Sequence, residues 1–76
     1  MGIRTRAKLA VIDRTIAHYY VIGLTRDKWF RDMLKMRKLV IAGKHMQATR
    51  ILHSGFVFWR DQPEYRAAIG LPAYRR

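Results

Sequence analysis

Apolar residues recur along this chain at intervals of three and four positions, the spacing that gathers side chains on one face of an α-helix. The first such stripe predicts a helix over about residues 5–22, with Leu9, Ile12, Ile16 and Tyr19 turned inward. Gly23 follows directly, and glycine commonly ends a helix in the left-handed conformation. The first helix is therefore expected to stop there.

A second stripe predicts a helix that begins at Thr25 as N-cap, has Asp27 in its first turn and closes at Gly43. Its inward residues are Trp29, Met33, Met36 and Val40, and Phe30, Leu34 and Ile41 widen the apolar face. The opposite side carries a row of cations: Lys28, Arg31, Lys35 and Lys38. This helix is thus expected to be strongly amphipathic.

Two shorter helices are predicted in the second half of the chain. The third covers about residues 44–54, and the helical spacing of Leu52, Phe56 and Trp59 favours its continuation through Gly55. The fourth starts at Pro63, capped by the preceding residues 61–62, and ends before Gly70.

These elements predict an all-α fold: a small antiparallel helical hairpin or bundle of three to four helices. One domain is expected over residues 1–76, with a basic N-terminal arm at 1–8 and a C-terminal tail at 71–76. A core of this size supplies only a few kcal/mol, and the absence of Cys excludes disulfides. We therefore expect partner subunits to complete the fold.

Charge indicates what kind of partner to expect. The chain has 16 Lys and Arg against 5 Asp and Glu, a formal net charge of +11. Such a surplus repels itself unless an anionic surface neutralises it. The residues predicted to contact phosphates of lipid or RNA are Arg4, Arg6, Lys8, Lys28, Arg31, Lys35, Lys38, Arg75 and Arg76.

The aromatic residues suggest a second kind of contact. They could stack on nucleic-acid bases, but they share helical stripes with Met and Leu, which favours the core or a protein interface. The residues predicted to dock on partner proteins are Trp29, Phe30, Phe56, Phe58, Trp59 and Tyr65.

Catalytic and metal-binding patterns are not found in the sequence. The three His residues, His18, His45 and His53, have neither helical ligand spacing nor a Cys beside them. Asp61 and Glu64 flank Pro63, where helix capping is the expected role for a carboxylate. We therefore predict no enzyme activity, no cofactor and no metal.

The favoured interpretation is a non-catalytic accessory subunit of a large energy-transducing (respiratory-chain) assembly of the mitochondrial inner membrane. The first twelve residues contain three cations and no acid, as mitochondrial targeting segments do, which places the protein in the matrix or on the matrix face of that membrane. No transmembrane span is predicted. The alternative is a small ribosomal or other RNP protein that binds RNA phosphates, and a helix-turn-helix DNA-binding module is a third possibility.

Overall fold

The computed structural model describes residues 2–53 and 59–73, and within these ranges the regular structure is entirely helical. The elements are α1 (Ile3–Ile22), α2 (Lys28–Ile41), α3 (His45–His53), a 3₁₀ turn (Trp59–Asp61) and α4 (Pro63–Ala68). The predicted all-α fold is confirmed. The segment predicted as a basic arm lies largely within the first turns of α1.

The first two helices form an antiparallel hairpin. Arg37 Nε donates to Asp13 Oδ1 at 2.8 Å near the middle of the pair, and the Tyr20 and Phe30 rings meet at 5.2 Å near the connecting turn. Gly23 ends α1 with a φ of 77°, as the sequence predicts. The Leu24 N–H then donates to the Tyr19 carbonyl at 3.0 Å, which closes the helix end.

The N-cap of α2 differs from the prediction. Thr25 lies in the turn that precedes the helix, and the N-cap is Asp27, whose Oδ1 accepts from the Trp29 N–H at 2.8 Å. The Asp27 N–H donates to the Leu24 carbonyl at 3.2 Å, so the turn holds Asp27 where its carboxylate reaches the first free N–H groups. The helix therefore begins two residues later than expected.

This assignment makes a direct prediction about stability. Asp27→Ala should lower the free energy of unfolding by about 1 kcal/mol, because it leaves an N–H at the helix start without its acceptor. Thr25→Ala should change it by less than about 0.5 kcal/mol, since Thr25 is exposed and caps nothing. Urea unfolding followed by circular dichroism measures both. Equal losses for the two variants would contradict the observed cap.

A tight corner joins α2 to α3. Gly43 takes a φ of 77°, and the Lys44 N–H donates to the Leu39 carbonyl at 2.8 Å. Ala48, with 1% of its surface exposed, then packs against the core, so its small side chain permits the close approach of α3. The start of α3 lies within one residue of the prediction, whereas the predicted continuation across residues 54–58 falls outside the described residues. Trp59 itself lies in a 3₁₀ turn.

The last helix packs against α1. Pro63 occupies its first position and Gly70 follows its end with a φ of 79°, as predicted, and Gln62 is the N-cap. Arg14 on α1 donates to Glu64 at 2.7 Å and to Gln62 at 2.6 Å. Short connections alone suggest that α4 should follow α3 as its antiparallel neighbour, but the Arg14 contacts bring it to the first helix instead.

The core lies between the α1–α2 hairpin and the later elements. Met33, Met36 and Val40 of α2 meet Val11 and Ile12 of α1, and each has at most 1% of its surface exposed. Leu52 of α3 and Trp59 of the 3₁₀ turn complete the same apolar cluster. The predicted inward stripes of both long helices are therefore confirmed, with the largest deviations at Leu34 and Ile41, which are exposed.

Candidate anionic-surface interface

Four cationic side chains form a continuous row along α2, which we call the basic stripe: Lys28, Arg31, Lys35 and Lys38. They are separated by three, four and three residues, so they share one face of the helix, and all four are exposed. The buried residues of α2 occupy the opposite face. The stripe therefore lies on the outer surface of the molecule, as the sequence predicts.

The acidic residues of the chain are largely occupied elsewhere. Asp13 pairs with Arg37, Glu64 pairs with Arg14, and the Asp27 carboxylate caps α2. Asp32 approaches Lys28, but only to 3.9 Å. Little negative charge is thus left to offset the stripe.

Three members of the stripe keep their charge uncompensated. Within residues 2–53 and 59–73, Arg31, Lys35 and Lys38 form no ion pair. Exposed cations without internal partners lose little when they bind an external anion, because no existing contact is broken. This arrangement favours binding to a surface that carries several negative charges.

The N-terminal cations predicted to contact anions are not equivalent. Arg4 and Arg6 are exposed on α1, whereas Lys8 is half-buried. Lys8 Nζ lies 3.4 Å from His45 Nδ1 and 5.9 Å from the centre of the Trp59 ring. Burial, with a smaller contribution from Arg4, lowers the pKa of the Lys8 ammonium. Lys8 therefore serves the contact between α1 and α3 more than the outer surface.

The described aromatic residues that were predicted to dock on partners lie in or against the core. Phe30 and Trp59 belong to the core, with 6% and 7% of their surfaces exposed, so neither is available for docking. Trp29 and Tyr65 are half-buried against the same core. Phe56, Phe58, Arg75 and Arg76 lie outside the described residues.

Large apolar side chains that were not predicted to dock on partners are exposed instead. They are Ile3, Tyr20, Val21, Ile22, Leu24, Leu34, Ile41, Met46 and Leu71. Leu34 and Ile41 were expected to widen the buried face of α2, but they lie at its edge, beside the basic stripe. The signal available in the sequence was their distance from the centre of the apolar face.

No arrangement suited to metal binding occurs among the described residues. Glu64 Oε1 accepts from Arg14 at 2.7 Å, so this carboxylate is engaged in an ion pair between α4 and α1. Within the same ranges, no helix combines the length and the apolar character needed to cross a bilayer. The basic stripe and the exposed apolar residues are the features from which a function can be argued.

A scan of the chain against protein-family models found no matching family, and searches of curated proteins and of solved structures found no match either.

Proposed function

We propose that this protein is a non-catalytic accessory subunit that sits on an anionic membrane surface, with its basic stripe against phospholipid head groups. The observation that carries the proposal is the row of exposed cations on α2, three of which have no acidic partner among the described residues. Each cation near such a surface contributes about 1 kcal/mol. Several acting together suffice for reversible attachment.

The position of the four cations on one face of α2 supports a planar counter-surface. Lys28, Arg31, Lys35 and Lys38 project from one helix over three turns, so that their charges lie along a line. The head groups of an anionic bilayer present negative charge over a plane. All four cations of a row on one helix face can contact such a plane at the same time.

RNA is the competing counter-surface, and the aromatic residues argue against it. Binding of single-stranded RNA commonly uses exposed aromatic rings on which bases stack. Phe30 and Trp59 are buried, and the Lys28 ammonium lies 4.6 Å from the centre of the Trp29 ring. Trp29, Phe30 and Trp59 therefore offer bases no open platform, and Tyr20, which exposes 63% of its surface, lies on α1 and not on the helix that carries the basic stripe.

The assembly we propose is an energy-transducing complex of the mitochondrial inner membrane, with the protein on its matrix face. Support for this location comes from the acid-free, basic start of the chain, whose cations Arg4, Arg6 and Lys8 lie in the first turns of α1. The anionic lipids of the membrane would then supply the negative charge that the +11 chain lacks.

Vesicle co-sedimentation tests the proposal. The purified protein should sediment with phosphatidylcholine vesicles that contain about 30 mol % anionic lipid, and release from them should follow rising salt, since screening weakens the attraction. Vesicles of phosphatidylcholine alone should leave it in the supernatant.

Single-stranded RNA added as a competitor distinguishes the two counter-surfaces. Under the proposal, RNA at an equal phosphate concentration displaces little of the protein from the anionic vesicles. If RNA removes it completely, or if neutral and anionic vesicles bind it equally, the membrane proposal is wrong.

A further inference from the structure

An apolar face of the α1–α2 hairpin lies to one side of the basic stripe. On α1 it comprises Leu9, Asp13, Ile16 and Tyr20, which are separated by four, three and four residues and therefore share one side of the helix. On α2 it comprises Leu34, Arg37 and Ile41, which are separated by three and four residues, and the buried Phe30 lies one turn before Leu34. We call this surface the hairpin face.

Two contacts show that both rows lie on the same side of the hairpin. Asp13 pairs with Arg37 at 2.8 Å, and the Tyr20 ring meets the Phe30 ring edge-on. The rows thus run side by side in opposite directions, with one ion pair between them and apolar residues along the rest of their length.

The hairpin face is open. Tyr20, Leu34 and Ile41 expose 63%, 40% and 49% of their surfaces, and Leu9 and Ile16 are half-buried. Two antiparallel helices with apolar residues at intervals of four and three present a groove into which the ridge of another helix fits. The shape of the surface therefore suits a third helix.

The charges around the hairpin face determine what kind of partner helix it can bind. Its one acid, Asp13, is already paired with Arg37. Its borders are cationic: Arg31 and Lys38 stand within one helical turn of Leu34, and Arg6 stands one turn before Leu9. A matching partner needs an apolar seam with acidic residues on both sides.

A second copy of this chain does not meet that requirement. Each copy carries +11, and pairing two hairpin faces would bring cationic borders against cationic borders. Like charges at an interface cost several kcal/mol, so the charge pattern selects against self-association.

We propose that the hairpin face binds one amphipathic α-helix of a partner protein, whose apolar seam is flanked by Asp and Glu. This inference rests on the proposed accessory role and specifies how the subunit attaches to its assembly. A helix on the hairpin face leaves Lys28 and Lys35 directed away from it, so the partner and the membrane can be bound at once.

The test uses two fluorescent synthetic helices that share a Leu seam at intervals of four and three, one flanked by Glu and the other by Lys. Fluorescence anisotropy with the full-length protein should show binding of the Glu-flanked helix and none of the Lys-flanked helix. The protein variant L34E with I41E should weaken binding at least about tenfold, because it places charges in the apolar groove.

A matched control is provided by V21E with M46E. Val21 and Met46 expose 84% and 75% of their surfaces and do not belong to the hairpin face, and this pair changes the net charge by the same amount. The control should bind the Glu-flanked helix as the wild type does. Equal losses in both double variants, equal binding of both helices, or no binding of the Glu-flanked helix would overturn the proposal.

The assay contains no lipid, so its result is independent of membrane attachment. A protein that binds the Glu-flanked helix but ignores anionic vesicles keeps this inference and loses the proposed membrane role. The reverse result keeps the membrane role and removes the helix-binding face.

Discussion

Replacing Met36 by Ala should remove most of the protein's free energy of unfolding. Met36 has 0% of its surface exposed and sits in the middle of α2, within the cluster that joins the helices. Removing a buried Met side chain costs about 2–5 kcal/mol. A core in a chain of this size supplies about 3–5 kcal/mol, so the loss takes most of the stability.

Met46 provides the matched control, because it is also a helical Met but exposes 75% of its surface. In urea unfolding followed by circular dichroism, Met46→Ala should leave the midpoint nearly unchanged, while Met36→Ala should lower it by about half or more. A cooperative transition for Met36→Ala at the wild-type midpoint would mean that α2 does not form the centre of the core.

Much of this fold follows from local signals in the sequence. The period of the apolar residues marks each helix, and Gly23 and Gly43 end two of them because a left-handed residue costs glycine no steric clash. Pro63 starts α4 because its missing N–H is not needed at that position. The resulting helix limits agree with the structure to within a few residues.

Other features depend on contacts that local sequence does not encode. Thr25 and Asp27 are both good N-cap residues, and the turn from Leu24 to Asp27 decides between them. The position of α4 depends on Arg14, which is fifty residues away from Glu64 in the sequence. Side-chain spacing on one helix does not predict such pairings.

The two candidate surfaces, the basic stripe and the hairpin face, also differ in how far the sequence predicts them. The basic stripe is predictable, because the intervals between its four cations place them on one helix face. The sequence does not predict that this charge remains available, because that depends on the pairing of Asp13 with Arg37 across the hairpin. The sequence does not predict the hairpin face, because this face forms only when the rows on α1 and α2 lie side by side. Residues at the edge of an apolar stripe are buried or exposed according to their neighbours in the fold.

Neutralising the basic stripe should produce the second large effect. The triple variant R31Q, K35Q and K38Q removes the three cations of the stripe that lack an acidic partner within residues 2–53 and 59–73. At about 1 kcal/mol for each cation near an anionic membrane, the loss is about 3 kcal/mol, or a factor of about 100 in the partition coefficient. Folding should be unaffected, because all three side chains are exposed.

The most direct test of membrane binding through the stripe compares this variant with a control triple variant, R26Q, K44Q and R50Q. Arg26, Lys44 and Arg50 are exposed and lie off the stripe, and both triple variants lower the net charge by the same amount. The stripe variant should lose about 100-fold in binding to anionic vesicles, while the control should lose no more than about threefold. Equal losses would mean that total charge, and not the stripe on α2, determines binding, and would contradict the central claim.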